Sequence, residues 1–142
     1  MAEEVEVTVN LTNQKVQFTG VAGSNPAITC DCKPPIGDGA GYTGLELLLV
    51  SLAACSGTSV VHVLRKMRKS ISRFEIRAKG IRREQHPTCF DKIDIEFVLH
   101  SPDAEDADIQ KAIQLSEETY CPVWAMLKNN VEVMPRHIVV RP

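Results

Sequence analysis

The chain has 142 residues, of which 44% are hydrophobic and 24% charged, and its formal net charge is −2 at pH 7. This is the composition of an ordinary soluble globular protein, and the length fits one domain over residues 1–142. A net charge so close to zero gives no reason to expect a nucleic-acid or anionic-membrane partner.

The first part of the chain predicts three short strands and a loop. In the first segment apolar and polar residues alternate, which is typical of a half-buried strand. The apolar positions are Val5, Val7, Val9 and Leu11. The segment KVQFTG continues this pattern, and AITCDC supplies a third short strand. The next segment, KPPIGDGAGY, is predicted to be a loop because it holds two prolines and three glycines.

The longest apolar segment, YTGLELLLVSLAACSGTSVVHVLRKMRK, predicts a long helix that begins at Thr43. Thr43 and Glu46 have the spacing of a capping box. At the C-terminal end of this helix, where the helix dipole is negative, the sequence has four basic residues: Arg65, Lys66, Arg68 and Lys69. Polar residues interrupt the segment too often for a membrane span. A helix apolar nearly all round must be covered on every side, so we expect a partner subunit to help cover it.

The second half of the chain predicts strands and helices in alternation. RFEIRAKGIRRE and DKIDIEFVLH are expected to form two strands joined at QHPTC, and DAEDADIQKAIQLSEETY a helix. Cys121 is then the expected N-cap of PVWAMLKNN, because proline is well tolerated at the first helical position. VEVMPRHIVV closes the domain as a strand. The order predicts an α+β fold with a mostly antiparallel sheet.

Two cysteines are candidates for chemistry. A helix N-terminus lowers a thiol pKa, which favours Cys121, although Glu117 and Glu118 would oppose this. Cys55 lies in mid-helix, where burial alone would raise its pKa. Glu46 is nine residues before Cys55, on the same helix face and about 13 Å away along the axis. The simplest role of Glu46 is to form the capping box at the start of the helix.

The remaining candidate groups have simpler interpretations. Four residues, Cys30, Cys32, His86 and Cys89, offer soft ligands for a structural zinc, but their spacings are not those of a common zinc motif. His62 is predicted to be a core histidine and Trp124 a core aromatic. The chain opens with acidic residues, unlike a secretory signal, and its five cysteines are an odd number. We therefore expect a cytoplasmic protein with reduced thiols.

The segments GLELLLVSLAACSGTSVVHVLRK and SEETYCPVWAML resemble the central helix and the second cysteine segment of the OsmC/Ohr family. The resemblance implies an OsmC-like fold with a long buried central helix, in an intertwined homodimer. It also implies a thiol peroxidase that reduces organic hydroperoxides in oxidative-stress defence. Cys55 would be the nucleophile, Cys121 the resolving thiol and Glu46 a helper. No bound cofactor is expected, since an external dithiol would reset the pair.

The sequence departs from the family's peroxidases in one respect. They use an arginine from the amino-terminal part of the chain to stabilise the attacking thiolate. Here no arginine precedes Arg65, and Lys15 and Lys33 are the only earlier cations. Lysine does not reproduce the planar guanidinium fork. The alternative is therefore a non-enzymatic or differently active member, which binds an apolar small molecule at the dimer interface between the long helix and the PPIGDGAGY loop.

Overall fold

A computed structural model describes residues 2–142. The chain divides into two compact units, and the boundary falls between Leu48 and Leu49. This boundary lies inside the longest helix, α1, which spans Gly44–Lys66. The α+β architecture expected from the sequence is confirmed. The described strands form two three-stranded sheets, one in each unit, where we had expected one mostly antiparallel sheet.

The first unit contains an antiparallel sheet of three short strands in the order β1-β2-β3. The strands are β1 (Thr8–Leu11), β2 (Phe18–Val21) and β3 (Ile28–Cys30). The turn between the first two is closed by Asn13, whose Oδ1 accepts from the backbone N–H groups of Lys15 and Gln17. All three predicted strands exist, although β2 begins three residues later than KVQFTG suggested.

The expectation that the first strand is half-buried is wrong for a single chain. The apolar side chains that alternate there are exposed: Val5 83%, Val7 62%, Val9 51% and Leu11 57%. The alternation is typical of a strand with one apolar face, but no described residue of this chain covers that face. The pattern thus identifies an apolar surface and leaves open what packs on it.

The predicted loop after β3 is organised by a buried carboxylate, Asp31, which is 3% exposed. Its oxygens accept from the backbone N–H groups of Cys32 at 2.7 Å, Ala40 at 3.0 Å and Asp38 at 3.2 Å. These backbone hydrogen bonds, first among them the one from Ala40, hold the pKa of Asp31 below its usual range. The backbone also approaches so closely at Gly37 that a Cβ there would lie 2.2 Å from Asp31 Oδ1.

Replacing Asp31 with asparagine is expected to lower the melting temperature at pH 7. A carboxyl whose pKa is depressed by folding stabilises the fold above its unfolded pKa and loses this effect as pH falls through the folded pKa. The difference between wild type and Asp31→Asn should therefore shrink as the pH is lowered below about 4. Thermal unfolding followed by circular dichroism between pH 2 and 8 measures it.

Asp38→Asn is the matched control, because Asp38 lies in the same loop and makes an exposed ion pair with Lys15 at 2.6 Å. Such surface pairs contribute little. A loss of stability in Asp38→Asn as large as in Asp31→Asn would contradict the role assigned to the buried carboxylate.

The second unit is built on the sheet β4-β5-β6. Its strands are β4 (Arg73–Arg82), β5 (Phe90–His100) and β6 (Glu132–Val140). The predicted hairpin of β4 and β5 is confirmed, and the apolar residues of the central strand β5 form the core: Ile93, Ile95, Phe97 and Leu99 are each 0% exposed. Strand β6 pairs parallel to β5, since the chain between them crosses back through helices before it re-enters the sheet.

The connection from β5 to β6 holds helix α2 (Asp106–Leu115), a π-helical turn (Ser116–Tyr120, the π turn) and helix α3 (Pro122–Leu127). The predicted helix through Tyr120 thus changes its hydrogen-bonding period for its last five residues. A π turn inside or after an α-helix is often found at a functional site. Here it leads directly into Cys121.

Helix α1 has one buried face in the single chain, and its expected cover by a partner subunit stays a prediction. Its buried residues form a stripe: Leu52, Ser56, Gly57, Val60, Val63 and Leu64. Gly57 of this stripe lies against β4, since a Cβ added there would lie 2.6 Å from Ile76 Cδ1. Elsewhere Val50 is 51% exposed, and His62, predicted to be a core residue, is exposed because it lies off the stripe. The apolar remainder of α1 is open in a single chain.

By length and composition α1 could also cross a membrane, with a mean hydropathy of 2.0 over its most apolar window. The core helix of a soluble protein meets the same criterion. The packed stripe and the polar residues within it identify α1 as a core helix.

Candidate functional site

Cys121 caps a helix, as the sequence predicted. It is the N-cap of α3, with Pro122 following, and its Sγ accepts the backbone N–H of Trp124 at 3.4 Å. Its own N–H donates to the carbonyl of Ser116 at 2.9 Å, which closes the π turn. The side chain is only 2% exposed. Cys121 is therefore a buried thiol held in one position by the backbone on both sides.

Cys55 lies against this thiol. The side chains of Cys55 and Cys121 share a hydrogen bond, and the backbone N–H of Val123, in the first turn of α3, donates to the Cys55 sulfur. Both thiols are reduced, and Cys55 is the more accessible of the two. The fold thus brings together two cysteines that are remote in the sequence.

The surroundings of Cys55 favour its protonated form. Burial is the largest effect, and it raises the pKa of the Cys55 thiol. The hydrogen bond from the Val123 N–H lowers this pKa, whereas the hydrogen bond and the charge of Cys121 raise it further. Within residues 2–142, no cation is among the groups that shift this pKa. The pKa of Cys55 is therefore raised above its usual value, and the thiol is protonated at pH 7.

Glu46 forms the predicted capping box at the start of α1. Its Oε1 accepts from the Thr43 N–H at 2.8 Å, and Thr43 Oγ1 accepts from the Glu46 N–H at 3.1 Å. The backbone and side chain of Thr43 are the main causes that lower the pKa of Glu46, and Lys33 adds to them. Lys15 pairs with Asp38. Both early lysines thus act on carboxylates of the first unit, and the helper role of Glu46 stays a prediction.

A shallow groove of about 550 Å³ lies in the first unit. Its lining comes from β3, the glycine-rich loop and the start of α1, and includes Thr29, Ala40, Tyr42 and Glu46. Residues 39–42 at the end of the predicted loop thus line a groove, and the apolar pocket at a dimer interface stays a prediction.

The residues considered for zinc do not form a metal site. Within residues 2–142, no group of three or more His, Cys, Asp or Glu side chains is placed to hold a metal ion. Cys32, His86 and Cys89 are exposed.

Sequence reasoning missed the polar neighbours of the two thiols. Ser56 Oγ lies 3.4 Å from Cys121 Sγ, and Ser116 Oγ donates to the Ser56 carbonyl at 3.5 Å. Both serines are 0% exposed. The available signal was the position of Ser56, which directly follows Cys55 in an apolar helix where an unpaired hydroxyl would be costly.

Comparison with known proteins agrees with this fold. Residues 37–135 match the family described as OsmC-like protein. Protein YhfA of Escherichia coli K12 is 33% identical over 96 residues, which cover 68% of this chain and 72% of YhfA. A hypothetical protein from Aquifex aeolicus VF5 has a solved structure that is 33% identical, with a TM-score of 0.88 and 99% of each chain covered.

The organic hydroperoxide resistance protein OhrB of Bacillus subtilis shares the fold at 20% identity, with a TM-score of 0.64 over 96% of this chain and 98% of OhrB. The family match spans both candidate cysteines and the segment between them. The chain belongs to the family of OsmC-like proteins.

Proposed function

We propose that the chain is a thiol-dependent peroxidase that reduces organic hydroperoxides through a Cys55–Cys121 dithiol–disulfide cycle. The observation that supports it most is that the fold brings the Cys121 thiol close enough to Cys55 to raise the pKa of Cys55. Two reduced thiols in contact need little movement to form a disulfide.

In this cycle Cys55 attacks one oxygen of the hydroperoxide and breaks the O–O bond. Cys55 becomes a sulfenic acid, and the other oxygen leaves with the organic group as an alcohol. Cys121 then attacks the sulfenic sulfur, forms the disulfide and releases the sulfenic oxygen as water. An external dithiol returns both residues to thiols by exchange. The greater accessibility of Cys55 and the burial of Cys121 fit these roles.

Thiol counting tests the proposal. Reduced wild-type protein has five free cysteines, and one equivalent of an alkyl hydroperoxide is expected to leave about three, through a single disulfide. Cys55→Ser should keep its four remaining thiols. Peptide mass spectrometry would identify Cys55–Cys121 as the bridge.

Cys89→Ser is the matched control, since it removes an exposed cysteine outside the pair and should still lose two thiols. If wild type and Cys55→Ser lose thiols equally, Cys55 has no part in the reaction. If neither loses any, the chain is no peroxidase.

We also propose that the protein is a cytoplasmic homodimer that acts in oxidative-stress defence. The homodimer is supported by the exposed apolar side chains of β1 and by the open part of α1. A hydroperoxide of an apolar molecule would suit a site next to such a surface.

A binding protein is the second candidate. The neutral Cys55 thiol and the groove in the first unit favour it. An apolar small molecule that copurifies with the protein, together with thiols that survive hydroperoxide, would support this function over the peroxidase.

A further inference from the structure

Ser56 is buried against the second thiol of the pair. It is 0% exposed, and its Oγ lies 3.4 Å from Cys121 Sγ. Its carbonyl accepts the hydroxyl of Ser116, so the main chain at Ser56 is tied to the π turn. A buried hydroxyl held beside a buried sulfur is in position to donate a hydrogen bond to it.

The neighbouring hydroxyls of α1 behave differently. Thr58 Oγ1 donates to the Ala54 carbonyl at 2.9 Å, and Ser59 Oγ donates to the Cys55 carbonyl at 3.3 Å. This is the usual bond of a serine or threonine in mid-helix, four residues back along the same helix. The described contact of the Ser56 hydroxyl is the thiol of another segment. Its placement is therefore specific to Cys121.

The hydrogen bonds around the pair are unequal. Cys121 Sγ receives the N–H of Trp124 and lies within bonding distance of the Ser56 hydroxyl, in addition to its bond with Cys55. Besides that shared bond, the Cys55 sulfur receives the N–H of Val123. Hydrogen bonds to a thiolate stabilise the charged form. Apart from the bond that the two thiols share, Cys121 has two possible donors and Cys55 has one, so a negative charge is better stabilised on Cys121.

We propose that Ser56 is a catalytic residue of this dithiol. Its hydroxyl donates to the Cys121 sulfur, keeps Cys121 as the thiolate of the reduced pair, and so makes Cys121 the base that deprotonates Cys55. This inference rests on the proposed peroxidase cycle and supplies the base that the cycle needs where the arginine is absent.

The proton and electrons balance as follows. Cys55 S–H gives its proton to the Cys121 thiolate as the Cys55 sulfur attacks the terminal oxygen of ROOH. The O–O bond breaks, Cys55 S–OH forms, and the alkoxide RO⁻ takes the proton from Cys121 to leave as ROH. The regenerated Cys121 thiolate then attacks Cys55 S–OH, forms the S–S bond and expels hydroxide. The dithiol loses two electrons, and the hydroperoxide gains them.

Three elements meet here, and besides Cys55 helix α1 carries the titratable residues Glu46, His62, Arg65 and Lys66. The π turn has Glu117, Glu118 and Tyr120, and α3 has none. The Glu118 carboxylate accepts from Gln114 on α2 at 3.3 Å. Among the described residues, Cys121 is the one group whose charge acts on the pKa of Cys55.

The first test follows thiolate formation by absorbance at 240 nm in the reduced protein, from pH 5 to 11. The difference against the Cys55→Ser/Cys121→Ser double variant cancels the other three cysteines. The signal should survive in Cys55→Ser and move to higher pH in Cys121→Ser. Ser56→Ala should raise the first midpoint by about one pH unit, a tenfold loss of acidity, because a hydrogen bond to a charged group is lost.

Two further variants serve as controls for the titration. Thr58→Ala, which removes an exposed hydroxyl that donates to its own helix, should titrate as wild type. Ser56→Thr, which retains the hydroxyl, should restore the wild-type midpoint. An unchanged midpoint in Ser56→Ala, or a first thiolate that disappears in Cys55→Ser, overturns the inference.

The titration uses no hydroperoxide, so its failure is separate from a failure of the proposed function. Thiols that resist hydroperoxide, with the titration as expected, would reject the peroxidase and retain the thiolate on Cys121. Rapid oxidation of wild type, with an identical pH profile in Ser56→Ala, would retain the peroxidase and reject the role of Ser56.

Discussion

At pH 7, the Cys121→Ser variant is expected to form sulfenic acid on Cys55 about tenfold more slowly than wild type, or slower still. A thiol with the ordinary pKa of about 8.5 is only about 3% ionised at pH 7, and burial raises the pKa of Cys55. Since no cation of the described part of the chain shifts this pKa, Cys55 is expected to depend on Cys121 to accept its proton. Serine is too weak an acid to be ionised there and cannot replace the thiolate.

The difference in rate between wild type and Cys121→Ser is expected to depend on pH. In Cys121→Ser the rate should rise about tenfold per pH unit until the pH passes the pKa of Cys55, because only the thiolate reacts. In wild type the rise should end earlier, at the first ionisation of the pair. The gap between the two should therefore narrow as the pH approaches 10. Trapping the sulfenic acid with dimedone and measuring the Cys55 peptide by mass spectrometry gives both rates.

Serine is a suitable replacement because it retains an N-cap acceptor for the Trp124 N–H of α3. Cys89→Ser controls for the loss of any single thiol, and its rate should equal that of wild type. If Cys121→Ser oxidises Cys55 as fast as wild type at pH 7, then Cys121 is only a resolving thiol. Another group must then activate the nucleophile.

The features predicted correctly from the sequence follow from local rules. The capping box of Thr43 and Glu46 and the N-cap at Cys121 depend on residues within one turn of each other. The alternation along β5 reports its buried face directly. In these cases the neighbours in the sequence are also the partners in the fold, so a single sequence is enough.

The features that were missed depend on distant segments. Nothing local distinguishes a Ser56 that meets Cys121 from one that bonds its own helix. The direction of β6 depends on where the intervening helices return the chain. The contact between Cys55 and Cys121 could be expected only from the family resemblance, because spacing alone does not bring two such remote thiols together.

Replacing Val9 and Leu11 together with lysine is expected to convert the protein from a dimer to a monomer. Both side chains are more than half exposed in one chain, and among residues 2–142 β1 pairs only with β2, which leaves its other edge unpaired by them. An exposed, apolar edge strand is a surface that another chain can occupy. Burying each such side chain in an interface stabilises the complex by about 1.5–3 kcal/mol. A symmetric dimer buries the same side chain of both subunits, so the contribution counts twice.

Sedimentation velocity on wild type should give twice the chain mass of 15.7 kDa, and the double lysine variant the mass of one chain. Thr8→Lys/Asn10→Lys is the matched control: it adds the same charge to the same strand, but on the opposite face, so it should stay dimeric. Equal dissociation of both variants would show that added charge alone separates the subunits. A wild type with the mass of one chain at every concentration would reject the dimer, and the apolar surfaces of β1 and α1 would then need another partner.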